Sequence, residues 1–502
     1  MHKRLICMLC CALLAFSSTV ALAEQTFSMA GFDGDDSNHD WNTNRFFTRM
    51  QARTGVSFTF SEYTDYAKWN EAKRAMFASG ELPDVLFKAD LSTAEQINWS
   101  ESGQLIDLKP LLAENAPHLW ALLQEHPDWL DAITLPSGKI AALPALTEAP
   151  TQNVMWINQT WLDALHLDMP TDTESLRAVL EAFKTGDPNG NGQKEEIPLA
   201  FLGPWDLKFL SHAFGAVAND YNIYVDETGT VRYLPAQESF TALVRWLRGL
   251  YADGLMDASG FYTSDTLRNV TDDKAVATYG VFLSPNPMAI LTYKLSEEYR
   301  LLMPLTFEGK QVYRELFGSV TRGTFAITSA CKDPAALLRW VDELYSEEGA
   351  IEALAGTLGE DYTVDEDGRW DYAGGEESMT SAMFYDLSVY DSGNMPWLFP
   401  TSFYNRYTNE SIGRISAELE ALSALTVKPF PTYTLTLEQE AQVVALQNEL
   451  GRYVDESLAQ FVLGQLDSND DTAIEAFHAG LVSHGMDDMV AFWQQIYDGL
   501  QK

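Results

Sequence analysis

Apolar residues fall at helical spacing in some stretches and in short unbroken runs in others, so helix and strand alternate along this chain. From Trp69 to Ala78 the spacing places Ala72, Ala75 and Met76 on one helical face. Gly80 ends that helix, and Asp84-Val85-Leu86-Phe87 follows as a short buried strand. A second helix opens after Pro170, where Thr171 and Glu174 have capping-box spacing, and Leu176, Val179, Leu180 and Phe183 form its apolar stripe. Ile197 to Phe201 resumes as a strand. From Leu437 onward, Val443, Leu446, Leu450, Val454, Leu458 and Phe461 keep helical spacing, and Thr472 to Leu500 adds two further helices. No internal repeat is detectable. The expected fold class is α/β with a helical C-terminal part.

The N-terminus changes the picture by setting a compartment. Lys3 and Arg4 precede an apolar run from Leu5 to Phe16, and Ala21-Leu22-Ala23 supplies small residues where a signal peptidase cuts, so residues 1–23 read as a signal peptide. No later stretch offers the roughly twenty apolar residues of a membrane span. The expectation is an exported protein of the periplasm, the extracellular space or the cell surface. Of the four cysteines, Cys331 alone would survive cleavage, in an apolar run typical of a core thiol. The 502 residues are 46% hydrophobic, enough for large cores and two to three domains. Removing Lys3 and Arg4 takes the net charge from −39 to −41, which argues against nucleic acid and anionic membranes as partners.

One stretch has the donors of a cation site. Asp187-Pro188-Asn189-Gly190-Asn191-Gly192-Gln193-Lys194-Glu195-Glu196 places oxygen-bearing side chains at alternate positions around two glycines. Calcium takes six to eight oxygen ligands, and an EF-hand loop supplies them from positions 1, 3, 5, 7 and beyond, with Gly at 6. Asp187, Asn189, Asn191, Gln193 and Gly192 fall on those positions; Pro198 stands where the closing Glu belongs, leaving Glu195 and Glu196 to complete the shell. The Ca2+ would be structural, since no nucleophile or base lies nearby. A solvated Asn/Gly turn is the other reading of the same residues.

The search for catalytic motifs returns less. No Gly-x-Ser-x-Gly elbow, His-Glu-x-x-His pair or phosphate-binding Gly-Lys-Ser/Thr loop occurs, and the eight histidines form no ligand pattern. A glycosidase needs only two carboxylates, so an exported glycan-processing enzyme stays open as an alternative. Tryptophans recur in turn-like settings: Trp41, Trp156, Trp205 beside Pro204, Trp370, and Trp397 between Pro396 and Leu398. Such rings serve either as core or as stacking platforms for sugars.

Segment order resembles a known family. Gly80-Glu81-Leu82-Pro83-Asp84-Val85, Gly103 to Leu108, Ser137 to Pro144, Met155-Trp156-Ile157-Asn158 through Leu165, and Phe461-Val462-Leu463-Gly464 run in the order found in family 1 extracellular solute-binding proteins. These are the carbohydrate receptors of bacterial ABC importers. The calcium loop points to the group that includes alginate-oligosaccharide-binding and LplA-like proteins. The resemblance implies a non-catalytic, monomeric receptor with a two-lobed, type II periplasmic-binding-protein fold, which closes on an oligosaccharide and delivers it to membrane permease subunits. Lobe one would comprise 24–148 and 304–375, and lobe two 149–303 and 376–502, with crossings at Ala145 to Thr151 and near Met303 to Gly309. Residue by residue it also implies a cleft. Asp33, Asp35, Trp41, Lys88, Asp90 and Glu148 would lie on lobe one, Trp205, Asn286, Trp397, Phe403 and Tyr404 on lobe two. Arg322 beside Gly323 would pair with an anionic sugar or with a neighbouring acid. The lipid-anchored cysteine of many relatives is missing, and an oligopeptide receptor is a further alternative.

Overall fold

The computed structural model describes residues 25–35, 37–148, 152–262, 276–315, 319–375, 381–390 and 394–501. The expected signal peptide therefore lies outside the described residues, as do residues 149–151 of the first crossing.

Two separate sheets organise the chain. The larger runs Leu398–Phe399, Leu143–Thr147, Val320–Ile327, Val85–Phe87, Gln25–Phe32, Val56–Tyr63 from edge to edge. Its strands are parallel except Val320–Ile327, which runs against both neighbours. The smaller orders Tyr299–Leu301, Val154–Asn158, Tyr279–Ser284, Ile197–Ala200, and here Val154–Asn158 is the reversed strand.

Each sheet is covered on both faces. Met29, Val85, Phe87 and Phe325 point into one core of the larger sheet, and Ala30, Leu86 and Ala326 into the other. In the smaller sheet Met155, Ile157 and Val281 alternate in the same way with Val154, Trp156 and Phe282. Burial on both faces explains why these strands read as unbroken apolar runs and not as alternating ones. The long helix Leu437–Leu463 buries Val443, Leu450, Val454, Leu458 and Phe461, and Asp471–Ser483 and Met486–Leu500 pack behind it.

Chain connections fix how the sheets meet. Thr147 ends a strand of the larger sheet and Val154 opens one of the smaller, seven peptide steps later, a reach of at most about 25 Å. Val154 marks the end of the smaller sheet at which its three mutually parallel strands finish. The carboxyl ends of both sheets therefore form adjoining rims. Helix Leu437–Leu463 bridges them: Leu437 packs with Leu91 and Ile97 of the larger sheet, Val443 onward with the core of the smaller.

Several expectations need correction. The helix Tyr66–Ser79 buries Trp69, Lys73 and Phe77; of the expected face Met76 packs at the edge of that core, Ala72 is partly buried and Ala75 is exposed. Lys73 is buried because its ammonium donates to the Asp90 carbonyl (2.8 Å) and the Glu95 carboxylate (3.2 Å). The helix after Pro170 spans Thr173–Thr185 and its capping box pairs Asp172 with Ser175, one residue beyond the expected pair; its buried stripe is the expected one. The return crossing is later than position 304. Leu302 and Leu305 belong to the smaller sheet's core, Tyr313–Arg314 pairs with Thr426–Val427, and the larger sheet resumes only at Val320. Residues after 376 do not all go with the second sheet either. Leu398–Phe399 extends the larger sheet, and Val389, Met395, Trp397, Phe403 and Tyr407 fill its core.

Candidate functional site

Polar side chains collect on the larger sheet's carboxyl rim because each strand ends there in a turn. Asp35, just past Gln25–Phe32, is exposed and accepts the Tyr66 amide hydrogen at 2.7 Å, tying it to the start of the next helix. The Tyr66 ring lies against Phe32, and its hydroxyl hydrogen-bonds Asp90, a bond that holds the phenol above its ordinary pKa. Asp90 itself has φ +48°, a left-handed bend that carries the chain off its strand. Glu148, following Leu143–Thr147, is exposed and accepts from the Thr401 amide at 3.1 Å. Arg322 enters from the reversed strand, partly buried. Tyr404 completes the rim, packed on Phe399 and Phe403.

The smaller sheet faces this rim with fewer groups. Trp205 opens the short helix Pro204–Phe209 after Ile197–Ala200 and is 45% exposed, its ring folded over Gly203. Beneath it Asp206 is fully buried, accepting from Asn153 Nδ2 (2.6 Å) and the Leu202 amide (2.8 Å), and burial pushes its carboxyl up to about 7. Asn286, after Tyr279–Ser284, spends its side-chain oxygen capping the turn at Ala289 (3.0 Å).

Five of the expected contacts, Asp33, Trp41, Lys88, Trp397 and Phe403, are interior and not cleft groups. Asp33 and Lys88 are both fully buried and bonded to each other at 2.8 Å. His39 Nδ1 donates to the other Asp33 oxygen at 2.6 Å. Burial pushes the Asp33 carboxyl up, but the His39 hydrogen bond and the Lys88 charge outweigh it and hold it below the ordinary value. Trp41 sits at the centre of an aromatic cluster with Phe47, Phe60 and Phe87. Trp397 is buried between Tyr390 and Phe399. Trp397, Phe403 and Tyr404 also lie with the larger sheet, opposite to expectation, because Leu398–Phe399 pairs with Leu146 and Thr147.

The loop between helix Thr173–Thr185 and strand Ile197–Ala200 folds its oxygens onto its own backbone. Both Asp187 carboxylate oxygens accept from the Gly192 amide (3.3 and 3.1 Å), Asn189 Oδ1 from Asn191 (3.2 Å), and Asn191 Oδ1 from Gln193 (2.7 Å). Asn191 Nδ2 reaches Glu195 Oε1 at 2.8 Å. Gly192 has φ +73°, which a side chain would strain. Glu196 Oε1 is buried and has no hydrogen-bond partner among the described residues. Such an orphaned carboxylate oxygen fits a cation ligand. No group of three or more His, Cys, Asp or Glu among the described residues stands ready to hold a metal, so the amide oxygens of Asn189, Asn191 and Gln193 are needed to complete a shell.

No family model matches the chain. It is 26% identical over 485 residues to FusA, the fructooligosaccharide ABC transporter substrate-binding protein of Streptococcus pneumoniae, covering 92% of this chain and 88% of that one. A solved FusA structure, an EF-hand mutant in complex with fructo-nystose, superposes with TM-score 0.74 at 24% identity over 95% and 99% of the two chains. In sequence and in fold the chain is thus similar to an ABC-transporter substrate-binding protein. An extracellular solute-binding protein from Bifidobacterium longum subsp. infantis gives TM-score 0.78 at 21% identity over 97% and 100%. Alginate-binding protein AlgQ2 without calcium ion gives 0.67 at 21% over 95% and 98%.

The chain thus carries the type II, two-sheet fold that its segment order implies. Of the expected site residues, Asp35, Asp90, Glu148, Arg322, Trp205, Asn286 and Tyr404 share the two adjoining rims. Sequence reasoning missed Tyr66, which follows a strand closely and opens a helix, a position that signals a rim residue.

Proposed function

We propose that this protein is an exported receptor that captures a carbohydrate, an oligosaccharide in particular, between its two halves and presents it to an ABC permease. The observation that carries the reading is the meeting of two carboxyl rims across short connections, the place where α/β sheets bind ligands. A ligand touching both rims stabilises the closed arrangement, which is what a permease can read. The halves are taken as 25–147, 320–375 and 381–407 around the larger sheet, and 154–315 with 410–501 around the smaller. Asp35, Tyr66, Asp90 and Glu148 would bond hydroxyls, and Trp205 would stack on a sugar face. The similarity to FusA, a fructooligosaccharide ABC transporter substrate-binding protein, supports the substrate class. Relatives of this kind are binding proteins, and the reading assigns no catalysis here. Ca2+ held by Asp187, Asn189, Asn191, Gln193, Glu195 and Glu196 would fasten the loop; the FusA EF-hand variant and calcium-free AlgQ2 support that assignment.

The test is melting temperature against neutral oligosaccharides, uronic oligosaccharides and short peptides, with product analysis alongside. A rise of the kind produced by about 2.7 kcal/mol of linkage at a hundredfold over Kd, without turnover, is expected for a sugar. A response confined to peptides, or cleavage of the glycan, would overturn it.

A further inference from the structure

A bulge in the larger sheet aims one cation at the smaller half. Strand Val320–Ile327 loses register with Leu143–Thr147 between Thr321 and Phe325. Gly323 within that break has φ +75°, and a Cβ on it would lie 2.2 Å from the Leu91 carbonyl oxygen. Its own carbonyl accepts from the Leu91 amide at 3.0 Å. Bulges insert a residue and redirect the neighbouring side chain, here Arg322. The Arg322 Nε and Nη2 are enclosed and have no hydrogen-bond partner among the described residues.

The group opposite comes from the helix Leu437–Leu463. Leu437 packs in the same core as Leu91, which sets the start of that helix beside the bulge. Glu440 follows one turn later, and its Oε2 is enclosed and equally without a partner. Burial makes the Arg322 guanidinium easier to deprotonate, and the Glu440 charge works against that, so each feels the other. Yet no hydrogen bond joins them. Enclosed donors opposite an enclosed acceptor are costly unless something accepts on one side and donates on the other. Two neighbouring sugar hydroxyls do both, and the planar guanidinium fork matches a pair of oxygens.

We propose that Arg322 and Glu440 together form a subsite for vicinal hydroxyls of an uncharged sugar residue, with Glu440 excluding uronic ligands. The inference rests on the receptor reading above and adds a substrate class to it. Without Glu440, Arg322 would favour a sugar carboxylate. With it, a carboxylate meets a like charge at close range, while a neutral diol satisfies both partners.

The experiment is calorimetric titration of the full chain with kestose, maltotriose, xylotriose and trimannuronate. The Arg322→Gln and Glu440→Gln variants are titrated alongside. The expected result is binding of a neutral trisaccharide by the parent protein and a loss of at least tenfold in each variant, with each variant still unfolding cooperatively in the absence of ligand. Trimannuronate binding should stay weak in the parent and tighten in Glu440→Gln. Parent binding of a neutral sugar that neither variant weakens overturns this inference alone. A parent preference for trimannuronate overturns the substrate class but keeps the receptor. Silence towards all four sugars, with a peptide response, removes the receptor reading and this subsite with it.

Discussion

Lys88 donates a 2.8 Å hydrogen bond to the carbonyl of Val389, 301 residues further along the chain, while holding the Asp33 carboxylate at 2.8 Å. One ammonium thereby staples the late segment that carries Trp397 and Phe403 to the first strands of the larger sheet. Lys88 reaches this position through a left-handed backbone bend, φ +50°. Asn394 adds a bond to the Lys88 carbonyl at 3.2 Å.

Removing that cation should therefore act on stability before it acts on binding. Lys88→Met leaves Asp33 buried with only the hydrogen bonds of Ser37 and His39, and breaking one side of a buried pair costs about 3–5 kcal/mol. Urea denaturation should show a loss of that size. The double variant Lys88→Met/Asp33→Asn should recover part of it, because the stranded charge is gone. A Lys88→Met protein as stable as the parent would mean the pair is not holding the segment.

Tryptophans that look alike in the sequence should part company on substitution. Trp41→Ala empties a site fully enclosed by Phe47, Phe60 and Phe87 and should cost about 3–5 kcal/mol in chemical denaturation. Trp205→Ala removes a ring that is half in solvent and should leave stability within about 1 kcal/mol of the parent. Sugar affinity should fall tenfold or more in the Trp205 variant. Unchanged affinity would take Trp205 out of the cleft.

Legibility in the sequence followed the range of the interaction. Helix Thr173–Thr185 and the long helix Leu437–Leu463 were readable because their periodicity is local, although the cap of the first lies one residue beyond the expected pair. So were the turn-forming glycines and alternating oxygens of residues 187–196. The helix Tyr66–Ser79 misled because its buried face includes Lys73, a polar residue satisfied by Asp90 and Glu95 from elsewhere in the chain. Trp41, Lys88 and Trp397 misled for the same reason, since what encloses them comes from distant segments. The meeting of Arg322 with Glu440 depends on a bulge and a docked helix start, and neither leaves a mark at position 440.

Acid sensitivity should trace to His212. Its Nε2 accepts the Leu305 amide hydrogen at 3.2 Å, and its Nδ1 donates to the Phe209 carbonyl at 2.8 Å, so both nitrogens are used by the neutral ring. Burial lowers its pKa to about 4, the bond to Phe209 opposing in part. The unfolded chain takes up this proton near pH 6.5 and the folded one only near 4. Stability from this group is thus complete above about 6.5 and is lost as pH falls towards 4, on the order of 3 kcal/mol over that window. Asp206 works oppositely, its raised pKa favouring the fold at lower pH, but it is common to parent and variant. Unfolding free energies of parent and His212→Gln should therefore converge by about that amount between pH 7 and pH 4. Parallel pH curves would show that His212 titrates normally.

The loop at residues 187–196 should depend on metal more than on any of its own hydrogen bonds. Apart from the Asn189 bond to the Ala277 carbonyl, those bonds run between near neighbours and are worth about 1–3 kcal/mol each at most, while the buried Glu196 Oε1 works against the fold unless a cation meets it. Protein purified without chelator should contain about one calcium per chain. A ligand a thousandfold above its Kd contributes about 4.1 kcal/mol, so EDTA should lower the melting temperature by several degrees and added Ca2+ should restore it. Asp187→Ala should melt like the EDTA-treated parent and ignore added Ca2+. Since the loop lies between helix Thr173–Thr185 and strand Ile197–Ala200, away from Arg322 and Glu440 in the chain, sugar selectivity should persist in the metal-free protein even where its stability drops. Absence of calcium by elemental analysis, together with an EDTA-insensitive melting curve, would return these residues to the plain Asn/Gly turn that their composition also allows.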